Sequence, residues 1–151
     1  MIRLAFNNPA VGHYVAENAK CAFHPETDTT IGVVNDSYPS ESPAHIRGGV
    51  IFTNYTGASI WMHVAGRDEN WVTRDMLAVT FHYPFVQLGV GRLYGIVEAT
   101  NGPALRFDLK VGFEIAAVLP GMFASGAGLV VTMEREKCRW LRLKPRAWKG
   151  D

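Results

Sequence analysis

No long uninterrupted apolar run occurs in this 151-residue chain, so no membrane-crossing helix is expected. Net charge is almost absent too: 15 Lys and Arg stand against 14 Asp and Glu, a formal charge of +1. Such a balance gives no case for general attraction to nucleic acid or to a membrane surface. Cysteine is scarce. Cys21 and Cys138 make no disulfide framework and no metal-binding pattern. Cys21 sits in an apolar context and reads as core, whereas Cys138 lies in a charged tail and reads as a free thiol. His13, His24 and His45 do not share metal-ligand spacing, so no metal is expected. The N-terminal residues MIRLAF are too short and too strand-like for a signal peptide. There is no internal repeat and no composition break. The expectation is one domain over residues 1–151, with a C-terminal tail from about 134, in the cytoplasm.

What is present is an ordinary globular balance, 48% hydrophobic and 19% charged, enough for one core. Residues 2–6 read as a strand. Asn8 before Pro9 is a good helix start, and residues 9–20 place Val11, Tyr14, Val15 and Ala19 near one face, although Gly12 weakens the pattern. Residues 30–35 read as a second strand. Residues 35–44, NDSYPSESPA, are the most loop-like stretch and suit a mobile lid, an insertion or an inert surface loop. Residues 46–55 and 59–65 form a hairpin around Thr56-Gly57-Ala58. A helix over about 71–88 must be kinked or interrupted by Pro84. Strands follow at 92–99, 114–119 and 129–133, with a flexible turn at 120–128. The tail carries Trp140 and Trp148 and reads as a docking helix or a partly disordered end.

Residues 85–113 are the most informative. Gly89 suits a left-handed helix end after Gln87 and Leu88. Residues 92–99 alternate, with Leu93, Gly95 and Val97 on one face and Tyr94, Ile96 and Glu98 on the other. Asn101 can cap a helix whose first turn accepts Pro103. Gly112 ends that helix, and Phe113 can fold back on it. The combined pattern is F-x-x-L-G-x-x-R, a strand, then N-x-x-A-L-R-x-x-x-K-x-G-F. It is carried by Phe85, Leu88, Gly89, Arg92, Asn101, Ala104, Leu105, Arg106, Lys110, Gly112 and Phe113.

This arrangement resembles the GNAT acetyltransferases, most of all the branch of ribosomal-protein alanine acetyltransferases with small phage and bacterial relatives. The resemblance implies an α/β (α+β) fold: a mixed, mostly antiparallel sheet of six to seven strands, with helices on both faces. Its fourth and fifth strands would splay into a cleft for acetyl-CoA, which donates to an amine; a homodimer fits the family. Acyl transfer needs a held thioester, a deprotonated amine, donors for an oxyanion and a proton for the thiolate. The resemblance places main-chain donors at Met62, His63 and Val64, and the pyrophosphate at the turn entering the helix near Trp71.

Two departures stand out. The family's pyrophosphate loop, R/Q-x-x-G-x-G/A, is replaced by Arg67-Asp68-Glu69-Asn70-Trp71-Val72-Thr73-Arg74, which has no glycine and places two acids near an anion. Arg67 and Arg74 can still pair with phosphate, and Asn70 or Thr73 can donate; the competing reading pairs these arginines with local acids. Asn101 is expected to touch the pantetheine arm as well as cap its helix, with Ala104 leaving room and Phe107 packing along it. The second departure is Asp108, seven residues after Asn101, where many relatives carry a proton-donating tyrosine. An ordinary aspartate is a poor acid, so an exposed or salt-bridged Asp108 is expected. His63 and Glu98 are the candidate bases. The main reading is an N-acetyltransferase working in a ternary complex; the rivals are an inactive GNAT-like module and an unrelated α/β ligand-binding domain.

Overall fold

The computed structural model describes residues 1–144, the side chain of Glu69 excepted. Trp148, with the rest of residues 145–151, lies outside them. The elements are β1 (Ile2–Phe6), α1 (Pro9–Ala19), β2 (Thr29–Asn35), β3 (Ile46–Thr53), β4 (Ser59–Gly66), α2 (Arg74–His82), β5 (Arg92–Glu98), α3 (Gly102–Val111), β6 (Glu114–Phe123) and β7 (Gly126–Glu134). This is the order of strands and helices that the patterning predicts. One seven-stranded sheet runs β1-β2-β3-β4-β5-β7-β6. All its pairings are antiparallel except β4 with β5.

Each face of the sheet has its own core. On one, Val11 and Val15 of α1 pack with Ala5, Val34, Ile46 and Ile51. On the other, Phe81 and Phe85 join Phe52, Ile60, Met62, Leu93 and Phe113 in a larger cluster. Strand alternation produces this division: Met62 faces the larger cluster, while Trp61 lies on the opposite face and stacks on Tyr94 at 5.3 Å.

Local chemistry sets the element ends. Asn8 caps α1 by accepting from the Ala10 amide at 2.9 Å. Asn101 caps α3 in the same way, accepting from Ala104 at 3.2 Å. At the far end of α3, the Phe113 amide donates to the Asp108 carbonyl and the Gly112 amide to Leu109. This is the paired closure of a helix by a glycine with positive φ, here 124°.

The structure shifts the bounds of two expected segments and details others. The helix expected over 71–88 is a short turn at Glu69–Trp71, then α2, then a single wide turn at Tyr83–Gln87. Pro84 has no N–H for the α-helical ladder, and the Leu88 amide bonds instead to Tyr83. The turn expected at 120–128 is much shorter, because β6 continues to Phe123. As an edge strand, β6 accommodates Pro120 without losing a ladder bond, and its register shifts between Leu119 and Phe123. The stretch at 35–44 is a surface loop, exposed over residues 36–41, and is anchored by buried His45, whose Nδ1 lies 3.0 Å from the Asn35 carbonyl and 3.3 Å from that of Tyr38. Both cysteines are free: Cys21 is half-buried against the smaller core, as its apolar context suggests, and the Cys138 thiol is buried although it lies in the charged tail. The tail docks through two short turns, and Trp140 Nε1 donates to the Val111 carbonyl at 2.8 Å. No helix among the described residues is long and apolar enough to cross a membrane.

Candidate active site

The parallel pairing of β4 with β5 lasts for only three residue pairs and ends at Trp61 with Tyr94. Beyond it the strands part, each still held on its outer side by β3 or β7. A chamber of about 400 Å³ opens between the parted strands, α3 and the loop leading to α2. The Met62 carbonyl lies on the cleft side, 3.3 Å from where a Cβ on Gly95 would sit. Because main-chain groups alternate sides along a strand, those of Val64 face the cleft as well, past the last paired residue. Those of His63 face β3. Val64 N–H is therefore the main-chain donor that the parted strands present. Met62 and Val64 line the chamber; His63 does not.

The glycine-free loop explains itself sterically. Trp71 is 6% exposed. Its indole lies on the backbone of β3 and β4, where a Cβ on Gly48 would come within 2.4 Å of the ring and one on Gly66 within 1.8 Å. The glycines that let a main chain approach here are in the strands beneath, and the loop residue is the bulky partner. Val72 is half-buried against the large core. The Thr73 hydroxyl caps α2, accepting from Met76 at 3.1 Å. The Asn70 amide donates to the Asp68 side chain at 2.8 Å.

The two arginines are engaged elsewhere. Arg67 donates to the carbonyls of Ile46 (2.6 Å) and Pro43, and its guanidinium sits 5.3 Å over the Tyr14 ring. Arg74 donates to the Lys144 carbonyl at 3.1 Å. Asp68 pairs with neither of them but with Arg47, at 2.8 Å. Of the loop residues singled out in the sequence, Trp71 reaches the chamber, joined there by Asp68; Arg67, Asn70, Val72, Thr73 and Arg74 do not.

Helix α3 brings Asn101, Ala104, Phe107 and Asp108 to the chamber wall. Asp108 corrects the expectation of an exposed or salt-bridged residue. It is half-buried and makes no ion pair among the described residues. Burial pushes its carboxyl up to about 7. Glu98 also lines the chamber, held by Ser125 at 2.6 Å and Lys20 at 3.0 Å, and these hydrogen bonds lower its pKa. His63 is on the opposite face of β4, and burial lowers its pKa against an opposing effect of Asp28. The three charged side chains lining the chamber are all acids: Asp68, Glu98 and Asp108.

No family model and no curated protein sequence matches the chain. Solved structures do. The spermidine/spermine N-acetyltransferase SpeG from Vibrio cholerae, solved in complex with manganese ions, superposes with a TM-score of 0.65 at 13% identity, over 90% of this chain and 94% of that one. Arabidopsis thaliana NAA60, solved with a bisubstrate analogue, gives 0.68 at 13%, over 89% and 98%. A putative GNAT-family acetyltransferase from Desulfovibrio desulfuricans gives 0.63 at 16%, over 89% and 99%. This chain has the GNAT fold. The expected mixed sheet with helices on both faces is present, and its parted β4 and β5 form the cleft. Within that fold, the loop leading to α2 carries a buried tryptophan, Trp71, seated on the backbone of β3 and β4.

Proposed function

We propose that this protein is an N-acetyltransferase, moving an acetyl group from acetyl-CoA to an amine by direct attack in a ternary complex. The observation that carries this reading is the parted strand pair. It presents Val64 N–H, without a strand partner on that side, to a chamber also lined by Asn101 and Ala104. Acetyl-CoA supplies the acetyl thioester and the thiolate leaving group. The chamber suits that end of the molecule: a Cβ on Gly95 would sit only 3.3 Å from the Met62 carbonyl and from Val131, so the small residue keeps room between the parted strands, and no cation that would hold phosphates lines it.

Within the chamber, Val64 N–H is the donor for the developing oxyanion. Glu98, at the chamber wall, attracts the cationic amine, which loses one proton to solvent before it attacks; the second proton, released as the nitrogen–carbon bond forms, passes to Glu98. Asp108, protonated below about pH 7, donates a proton as the carbon–sulfur bond breaks. His63 sits outside the chamber, so it is assigned a structural part in β4. The seat taken by Trp71 favours a second reading, a GNAT-fold module without turnover.

The test is calorimetric titration with acetyl-CoA, followed by amine-dependent thiol release across a panel of small amines and peptide N-termini. Saturable binding and thiol release are expected, with release falling roughly 100-fold in Glu98→Gln and in Asp108→Asn but less than about threefold in His63→Asn. Folded protein that shows no binding would favour the module without turnover.

A further inference from the structure

The chamber takes its walls from both faces of the sheet. Ala104 and Phe107 of α3 lie on one face, and Asn18 and Ala19 at the end of α1 on the other. Lys20, the next residue, closes α1, its amide donating to the Ala16 carbonyl. Its backbone is left-handed, with φ 57° and ψ 50°, a conformation that glycine adopts with less strain. The helix end favours a cation there through its dipole. That does not explain where the ammonium goes. Lys20 Nζ lies 3.0 Å from Glu98 Oε1, and Glu98 lines the chamber.

Glu98 is on the α1 face of β5, because it alternates with Ile96 and Tyr94 and Tyr94 stacks on Trp61 there. Its Oε2 accepts from the Ser125 hydroxyl at 2.6 Å, on the turn between β6 and β7, so the carboxylate is fixed and the Lys20 amine meets its other oxygen. Carried past its last pair, the register of Trp61 with Tyr94 sets Val64 across the cleft from Val97, one residue before Glu98. A primary amine of this chain therefore stands beside the carboxylate assigned to the acceptor, near Val64 N–H and on the face opposite α3.

Lys137 supplies the contrast. Its side chain is as exposed, 60% against 58% for Lys20, and it too pairs with a glutamate, Glu114 at 3.7 Å. Glu114 does not line the chamber. Two lysines of like exposure and like pairing thus differ in the carboxylate they meet.

We propose that Lys20 is a self-modification site, acetylated at Nζ by its own chain. The proposal rests on the acyl-CoA reading above. The Lys20 ammonium first loses one proton to solvent. Nζ then attacks the thioester carbonyl, the nitrogen–carbon bond forms and the carbon–sulfur bond breaks. The second proton passes to Glu98, and the CoA thiolate takes a proton from Asp108. The products are an amide at Lys20 and free CoA. An exposed ion pair opens readily, and an amine on the same chain needs no bimolecular encounter to reach the bound thioester.

The experiment incubates the unaltered full chain, Glu98→Gln and Lys20→Arg with acetyl-CoA at neutral pH, with thermal melts to confirm folding. Peptide mass spectrometry reads the acetyl occupancy of each lysine at the start and through the time course. Lys20 should be acetylated roughly 10-fold or more faster than Lys137, at a rate per chain independent of protein concentration. In Glu98→Gln the Lys20 rate should fall to that of Lys137, while Lys137 itself is unchanged. Lys20→Arg, which keeps a cation beside Glu98, should lose the fast acetylation without gaining it at another lysine. Equal rates at Lys20 and Lys137 overturn the proposal, since acetyl-CoA would then react alike with any exposed amine; thiol release with free amines would still uphold the acyl-CoA reading. A Lys20 rate that rises in proportion to protein concentration, or that survives Glu98→Gln, overturns it as well. If the unaltered protein neither binds acetyl-CoA nor releases thiol with any amine, the acyl-CoA reading fails and the proposal with it.

Discussion

The chamber and the groove beside it, a space of about 340 Å³ lined by Pro103, Arg106, Phe107, Lys110 and Arg139, share Pro103 and Phe107 yet carry opposite charge. They are also built differently. The chamber comes from main chain: two strands that stop pairing after Trp61 and Tyr94. Its acids are largely answered, Asp68 by Arg47 and Glu98 by Lys20, so only Asp108 has no ion-pair partner there among the described residues. The groove is made by side chains on one helix face and a docked tail, and its cations are unanswered by carboxylates among the described residues. A space shaped by backbone can hold a reacting group in fixed geometry, while flexible cations tolerate a variable anion. The difference teaches that a space built from backbone fixes geometry, whereas one built from side chains offers mainly charge.

The strongest way to break the contrast is to remove the residue that separates chamber from loop. Trp71→Ala deletes a buried indole seated on Gly48 and Gly66. A loss of roughly 3–5 kcal/mol of stability is expected in urea denaturation, from lost burial plus a cavity the glycines cannot fill. If the loss is below about 1 kcal/mol, Trp71 is not the floor of this site, and the steric account of the missing loop glycines is wrong.

Much of this arrangement was legible in the sequence because it is local. Asn8, Asn101, Gly89 and Gly112 announce helix ends through their own preferences, and alternation at 92–99 assigns its faces without any partner. Arg67 was not legible. Its carbonyl partners, Pro43 and Ile46, lie more than 20 residues earlier in the chain and meet it only through the β3–β4 hairpin. Pro120 misled because its tolerance depends on β6 being an edge strand, a property of the whole sheet. Asp108 misled for a similar reason: its type suggests exposure, and only tertiary packing buries it. The groove was half-legible. The i, i+3, i+4, i+7 stripe on α3 is visible in sequence, but Arg139 joins it only through the docked tail.

A smaller effect sharpens the chamber side of the comparison through pH. Asp108 is ordinarily an acid near 3.8, raised in the fold to about 7 by burial. Between those values the unfolded chain has lost this proton while the folded chain keeps it. The folded state binds more protons there, so stability falls as pH rises from about 4 to about 7 and levels off above it. Each pH step within that window costs up to ~1.4 kcal/mol, a few kcal/mol in all. Asp108→Asn stays neutral at every pH, so it should lack this slope and be more stable than the unaltered protein above pH 7. Chemical denaturation at pH 5 and pH 8 measures it; equal slopes in both proteins would mean that Asp108 is solvated and unfit to donate a proton.

The smallest effect separates two duties of one residue at the border of the two spaces. Asn101 caps α3 with its side-chain oxygen and faces the chamber. Asparagine, aspartate and serine are near-equal caps, whereas alanine costs about 1 kcal/mol. Only asparagine also offers an amide N–H to a bound pantetheine. Asn101→Ser should therefore change stability by only a few tenths of a kcal/mol while weakening S-acetylpantetheine several-fold. Asn101→Ala should lose both. Unchanged ligand affinity in the serine variant would leave Asn101 a helix cap and nothing more, and would move the burden of holding the pantetheine onto the main chain of β4. Affinity lost with stability kept would tie the N-terminus of α3 to the chamber's ligand.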